Sequence, residues 1–310
     1  MEEMRGNSNL LSKFAHSKKT EEEMKRNTIF SVALALCMGL SFTSCLDSDN
    51  DSNSSVIGGF VKTGGYMGLN FFLTPDGQVS IYPTTASISN LEKNNFKMTQ
   101  VNAAFIQGTY DVTLNADVNG TDATTSKQYN EVSLTYAASL DAKVEIAEPG
   151  AKNDSVNHQC IRAIDNSSRG SQNYFSAEYN KPWFFYDATT LVLPINYGLS
   201  GQRVHAFTLV YDPTSSQPGD TTIKLRLCHY NNQDTSSLTE SYSIASSHPF
   251  AYFYAFDLED AFNTWSSKTQ QSGRPQTVTI EFVSSETSLD IKDGQTETLV
   301  IERKGISAKQ

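Results

Sequence analysis

Residues 221–229 read Thr-Thr-Ile-Lys-Leu-Arg-Leu-Cys-His, and this alternation constrains the fold more than any other stretch of the chain. Ile223, Leu225, Leu227 and His229 fall on one side of an extended strand, with Lys224 and Arg226 on the other. One side is then buried and one wetted, as in an antiparallel sheet packed on a single core. Segments 173–179, 183–186, 190–197, 203–211, 250–256, 277–283 and 297–303 share the character of short strands, rich in aromatic or β-branched residues. Segment 159–164 adds a further short strand in the polar connection before them. Residues 257–268 break the pattern, with Leu258, Ala261, Phe262 and Trp265 at helical spacing. Residues 150–310 therefore read as an antiparallel β-sandwich domain.

The preceding part is also strand-rich, but sparser. Residues 69–74 and 78–82 flank Pro75-Asp76-Gly77, in which proline sets φ, aspartate bonds locally and glycine supplies a positive φ. This is a hairpin, and Pro83 ends its second strand. A short, glycine-broken strand is expected at 56–63, and others at 103–107, 109–114, 128–136 and 141–146, with a polar loop at 115–126. So many short strands within residues 56–149 fit a small closed or half-closed barrel. The fold class is all-β, a small barrel followed by a sandwich.

Ahead of the strands lies an address. Lys25 and Arg26 precede an apolar run from Ile29 to Leu40, followed by Ser41-Phe42-Thr43-Ser44-Cys45. A charged start, a short apolar centre and small residues before a cut site describe an export signal. The run is about 12 residues, short of the roughly 18–20 that span a bilayer. Cys45 after Thr43-Ser44 resembles the lipobox of bacterial lipoproteins, which implies acylation at Cys45 and removal of residues 1–44. Met24 reads as the translation start, with residues 1–23 no part of the protein. Residues 45–55 are acidic and polar and read as a flexible tether. They also resemble the acidic signal that sends lipoproteins of some gut anaerobes to the outer face of the outer membrane. Asp47, Asp49 and Asp51 have the spacing that opens a calcium loop, but Ser52 stands at the required glycine and Gly58 at the required glutamate.

Of the 24 basic and 34 acidic residues, 6 and 5 precede Cys45, which leaves 18 and 29 in the mature chain. That balance excludes nucleic acid as a partner, since its binding needs clustered cations. Attachment to the membrane then rests on the lipid at Cys45. Cys160 and Cys228 have no C-x-x-C spacing and so no zinc or redox motif; outside the cytosol they could form one disulfide.

Leu-Val-Leu-Pro-Ile-Asn-Tyr at 191–197, His205 opening the next strand, and Leu-Arg-Leu-Cys-His-Tyr-Asn-Asn-Gln-Asp at 225–234 resemble the C-terminal β-sandwich of NigD-like lipoproteins. The segment from Asn70 through the Pro-Asp-Gly turn to Pro83 is similar to the hairpin of that family's N-terminal OB-type barrel. The resemblance covers residues 56 to about 260. Where the family has Trp-x-Gly, this chain has Trp183-Phe184-Phe185. The resemblance implies an OB-like barrel, a β-sandwich and a cell-envelope lipoprotein; it implies no reaction.

His205 and His229 are candidate metal ligands, because neutral imidazoles on neighbouring strands can bind zinc or copper. The plainer reading is two half-buried sheet positions, and no metal or other cofactor is expected. Gly198-Leu199-Ser200-Gly201 falls one residue short of a nucleophile elbow and lacks its strand–helix setting, and no catalytic residue is assigned. A paired-carboxylate site stays open, since carboxylate separation is a property of the fold. Trp183, Phe184, Tyr186, Tyr252 and Tyr254 are candidate ligand-binding aromatics, suited to stacking on sugars or anchoring a protein, with inter-sheet core as the alternative. The expected function is a surface-exposed, outer-membrane-anchored, non-catalytic module for a glycan or envelope protein. A structural subunit of a fimbrial or secretion complex is the alternative.

Overall fold

The computed structural model describes residues 53–66, 69–115, 127–147, 157–165, 177–198, 205–230 and 252–303. Five strands close a barrel: β1 (Ser54–Tyr66), β2 (Leu69–Leu73), β3 (Val79–Pro83), β4 (Ala103–Asp111) and β5 (Lys127–Ser139). Their order around the wall is β1-β2-β3-β5-β4, with β4 returning to β1. Helix α1 (Thr85–Lys93) links β3 to β4. A five-stranded Greek-key barrel in this order is the OB arrangement.

Barrel closure follows from local chemistry. Gly77 at φ +69 turns the β2–β3 hairpin, and Thr74 Oγ1 donates to Asp76 Oδ1 at 2.6 Å within the turn. The expected break at Gly108 is instead a bulge inside one continuous β4. A Cβ there would lie 2.5 Å from the Ser133 carbonyl, so glycine lets β5 approach and bend the wall. Helix α1 is absent from the sequence expectation. Its segment Thr-Ala-Ser-Ile-Ser-Asn-Leu-Glu-Lys is polar, but Thr84 caps it by accepting from Ser87 N at 3.1 Å, and Leu91 closes one end of the barrel core.

The remaining strands form one curled eight-stranded sheet: β6 (Asp141–Ile146), β7 (Trp183–Phe184), β8 (Thr190–Pro194), β9 (Ala206–Tyr211), β10 (Thr222–Tyr230), β11 (Phe253–Asp257), β12 (Thr277–Ser284) and β13 (Gln295–Glu302). The order is β13-β12-β10-β9-β6-β11-β8-β7. The all-β class is as expected, and the sheet adds three parallel pairings, β10–β12, β6–β9 and β6–β11. The two that involve β6 arise because it leaves the barrel at Leu140 and enters the middle of the sheet, although the strand before it, β5, belongs to the barrel; β10–β12 is a crossover that contains the sheet-side helix. Segment 159–164 contributes isolated bridges at Gln159, Ile161 and Ala163 in place of a strand, and residues 177–180 form a 3₁₀ turn.

Helix α2 (Glu259–Thr269) lies where the sequence expects it and fills the curl of the sheet with Ala261, Phe262 and Trp265. A third cluster joins the two bodies. Phe60, Ala103 and Phe105 on the barrel wall pack against Leu140, Phe185, Val192, Phe253 and Ala255 of the sheet side. Polar contacts frame it: Asp141 accepts the backbone N–H groups of Asn102 and Ala103 at 2.8 and 2.9 Å, and Lys62 pairs with Asp187.

Candidate functional site

Strands β9 and β10 run antiparallel with Phe207 opposite His229. The alternation that turns Leu225 and Leu227 inward therefore brings His229 into the core, and His205, just before β9, enters beside it. His205 Nδ1 lies 2.8 Å from His229 Nε2. The residues are 7% and 1% exposed. Phe207 stacks on the His229 ring at 4.5 Å and 18°, and Tyr197 meets both imidazoles at 5.3 Å. The Tyr197 and Tyr254 hydroxyls share a hydrogen bond of 2.6 Å.

The electrostatics keep two members of this nest, His229 and Tyr254, neutral. Burial, then the neighbouring His205, push His229 down to about 3. Burial, then the adjacent Tyr197, push the Tyr254 phenol well above its ordinary value. Neither a charged His229 imidazole nor a Tyr254 phenolate is available near neutral pH. The two histidine nitrogens are also too close for a shared ion. Two nitrogens at about 2.0–2.1 Å from a tetrahedral zinc stand roughly 3.3 Å apart, so a shared ion would need the two rings to separate. Among the described residues, no group of three or more His, Cys, Asp or Glu converges.

The aromatic candidates are dispersed. Tyr252 is 2% exposed in the sheet core, and Tyr254 is half-buried against the same core. Trp183 packs in the barrel–sheet seam, 5.6 Å from Phe60 and 5.1 Å from Tyr179. Phe184 lies under the Arg303 guanidinium at 5.2 Å, and Tyr186 covers Gly77 of the hairpin turn. The fold thus uses all five in packing, and they form no common surface. Cys45, the expected lipidation site, lies outside the described residues. Cys160 and Cys228 are both buried and remain thiols.

Three polar or aromatic features went unassigned in the sequence. At the seam, Asp187 accepts from Lys62, from Thr190 N at 3.0 Å and from Thr190 Oγ1 at 2.7 Å. Burial alone would raise Asp187; Lys62 and Thr190 outweigh it and hold the carboxyl below its ordinary value. Thr190 is fully buried, and this constellation ties the two bodies together. A shallow cleft of about 330 Å³ crosses the outer face of the sheet, lined by Asp212, Lys224, Arg226 and Glu281 among others, so both charge signs face it. On the outside of the barrel, Phe71 and Tyr82 stand side by side with ring centres 5.4 Å apart. The sequence signal for the last was the hairpin itself, but Phe71-Phe72 does not reveal which ring turns inward.

No protein-family profile matches the chain, and no curated protein matches it. Solved structures do. A candidate lipoprotein from Bacteroides fragilis is similar over 81% of this chain and 99% of its own, at 18% identity and a TM-score of 0.57. What the two share is the fold. Looser neighbours include a NigD-like immunity protein from Bacteroides caccae, which spans 83% of this chain and 99% of its own at 12% identity and a TM-score of 0.41. Another is a toxin-related protein from Parabacteroides distasonis, at 14% identity and a TM-score of 0.42.

Proposed function

We propose that the chain is a NigD-like envelope lipoprotein, held at the outer face of the outer membrane by a lipid on Cys45, and that its body is a non-catalytic binding or accessory module for a glycan or an envelope protein. The observation that carries this reading is the His205–His229 contact of 2.8 Å. The residues best suited to chemistry are spent on each other inside the core. The lipobox-like stretch, the acidic residues after it and the fold shared with a candidate lipoprotein support the address.

The test pairs labelling with capture. Cells expressing the full chain or Cys45→Ser are fed a clickable palmitate analogue and then treated with protease while intact. Label on the wild type alone, with loss of the body to protease, is expected. An unlabelled wild type, or a body recovered from the cytosol, overturns the address. Hydrolysis of envelope polysaccharides by the purified chain overturns the non-catalytic reading.

A second reading has its own support. Strand β13 is eight residues long, borders the sheet and pairs only with β12 among the described residues. Such an edge can accept a strand from another chain, as a subunit of a surface complex would. Co-purification of the full chain with a defined complex, lost when Val300 (58% exposed) is replaced by Pro, would favour it.

A further inference from the structure

Gly64 of β1 pairs with Phe71 of β2, and Phe71 stands opposite Tyr82 of β3 in the register set by Phe72↔Ile81. Phe72 and Ile81 point into the barrel core, 0% and 2% exposed; Phe71 and Tyr82 are the outward residues and remain half-exposed. Gly64 makes the ledge possible. A Cβ there would lie 2.6 Å from the Phe71 ring, so the ring lies down on bare backbone. Leu69, 63% exposed, continues the same face of β2.

The row ends in a bulge. Between Ile81↔Tyr129 and Pro83↔Val132, strand β5 places two residues, Asn130 and Glu131, opposite the single residue Tyr82. Both are exposed, and Gln128 is exposed one step earlier on the same strand. Glu131 has φ +55, a conformation that a residue with a side chain adopts only at a cost. A glycine would relieve that cost, yet a carboxylate stands there. Four strands at about 4.7–4.9 Å spacing make the row roughly 14 Å long.

We infer that the row Gly64–Phe71–Tyr82–Glu131 is a binding ledge for a neutral glycan. This rests on the binding-module reading and names its site and ligand class. The C–H face of a sugar ring packs on the two aromatic rings, and its hydroxyls bond to Glu131, Asn130 and Gln128 at the end of the row. The row carries no cation to take a phosphate, and Lys62, two residues from Gly64, is held by Asp187. A folded protein partner needs roughly 800 Å² on each side, more than two half-buried rings and one leucine provide. A short oligosaccharide needs only such a row.

The test uses the full chain, purified from membranes in detergent, in affinity electrophoresis through gels containing mixed-linkage β-glucan, xyloglucan or yeast α-mannan, with an oligolysine peptide as a separate probe. The variants are Phe71→Ala, Gly64→Ala, Glu131→Gly and, as a control on the other body, Val300→Ser. We expect retardation of the wild type and Val300→Ser by at least one polysaccharide. Phe71→Ala and Gly64→Ala should bind about tenfold more weakly or worse, as loss of a central aromatic anchor does. Glu131→Gly should unfold at a higher temperature while binding more weakly, which a purely structural role for Glu131 does not give. Equal retardation of all variants overturns the ledge and leaves the binding module standing. Capture by oligolysine with no polysaccharide retardation overturns the glycan class in favour of a cationic peptide. No retardation by any probe, together with blank capture from envelope extracts, overturns both readings.

Discussion

Tyr186 lies across Gly77 so closely that a Cβ on the glycine would meet the ring at 2.6 Å. The hairpin turn of the barrel is thus clasped by a residue of the sheet side, and Tyr186 N donates to the Pro75 carbonyl at 2.8 Å in the same contact. Gly77→Ala should suffer twice, from its φ of +69 and from the overlap. The first costs about 1–2 kcal/mol and the second about 1–3 kcal/mol. Urea denaturation of Gly77→Ala, Tyr186→Ala and the double variant checks this. The double variant should be more stable than the sum of the singles, because removing the ring relieves the overlap.

The histidine nest makes stability depend on pH. His229 is held at about 3 in the fold against 6.5 when free, so the unfolded chain takes up a proton that the fold refuses. The stabilisation is complete above pH 6.5 and is lost as pH falls toward 3, at ~1.4 kcal/mol per unit of pH for one proton. His229→Phe can keep the stack on Phe207. It should show a shallower fall in stability between pH 6.5 and 4, measured by denaturant midpoints across that range.

Asp187→Asn should loosen the seam between the bodies. It leaves Lys62, with a side chain only 14% exposed, without its counter-charge. Breaking a largely buried pair of this kind costs about 3 kcal/mol. The same carboxylate gives a second acid dependence. Its folded value lies below the ordinary one, so its contribution is present above the unfolded value and is lost as pH falls through the folded one. Thermal unfolding of wild type and Asp187→Asn at neutral and acidic pH should show the difference between them shrinking in acid.

Cys160 and Cys228 should resist thiol reagents. Both are buried, and burial followed by the nearby Asp290 and Asp293 raises the Cys160 thiol. Ellman's reagent should label neither in the native protein and both after denaturation. Recovery of a Cys160–Cys228 disulfide peptide would contradict the structure.

Much of the fold was legible in the sequence because it is written locally. Ile223, Leu225 and Leu227 alternate, Pro75-Asp76-Gly77 turns, and Leu258 to Trp265 repeats at helical spacing. What was not legible depends on distant pairing. Nothing in Asp-Ala-Lys-Val-Glu-Ile says that β6 belongs between β9 and β11, because its partners lie more than 60 residues away. Helix α1 was missed because a capping threonine and one buried leucine outweigh a polar composition. At the candidate site, alternation placed His229 inward, but its contact with His205 is set by the β9–β10 register. Aromatic identity pointed to Trp183 and Tyr252, which the seam and core absorb. The exposed pair, Phe71 and Tyr82, lay in a hairpin whose inward face the sequence left open.

The placement of β6 also sets how the polypeptide can be divided. A fragment beginning at residue 150 would lack the rung between β9 and β11, leaving two half-sheets, β13-β12-β10-β9 and β11-β8-β7, that no strand joins and that only the bridges of residues 159–163 and their shared core connect. The C-terminal body is therefore not a detachable piece, and ribosomal synthesis delivers its middle strand before any other part of its sheet.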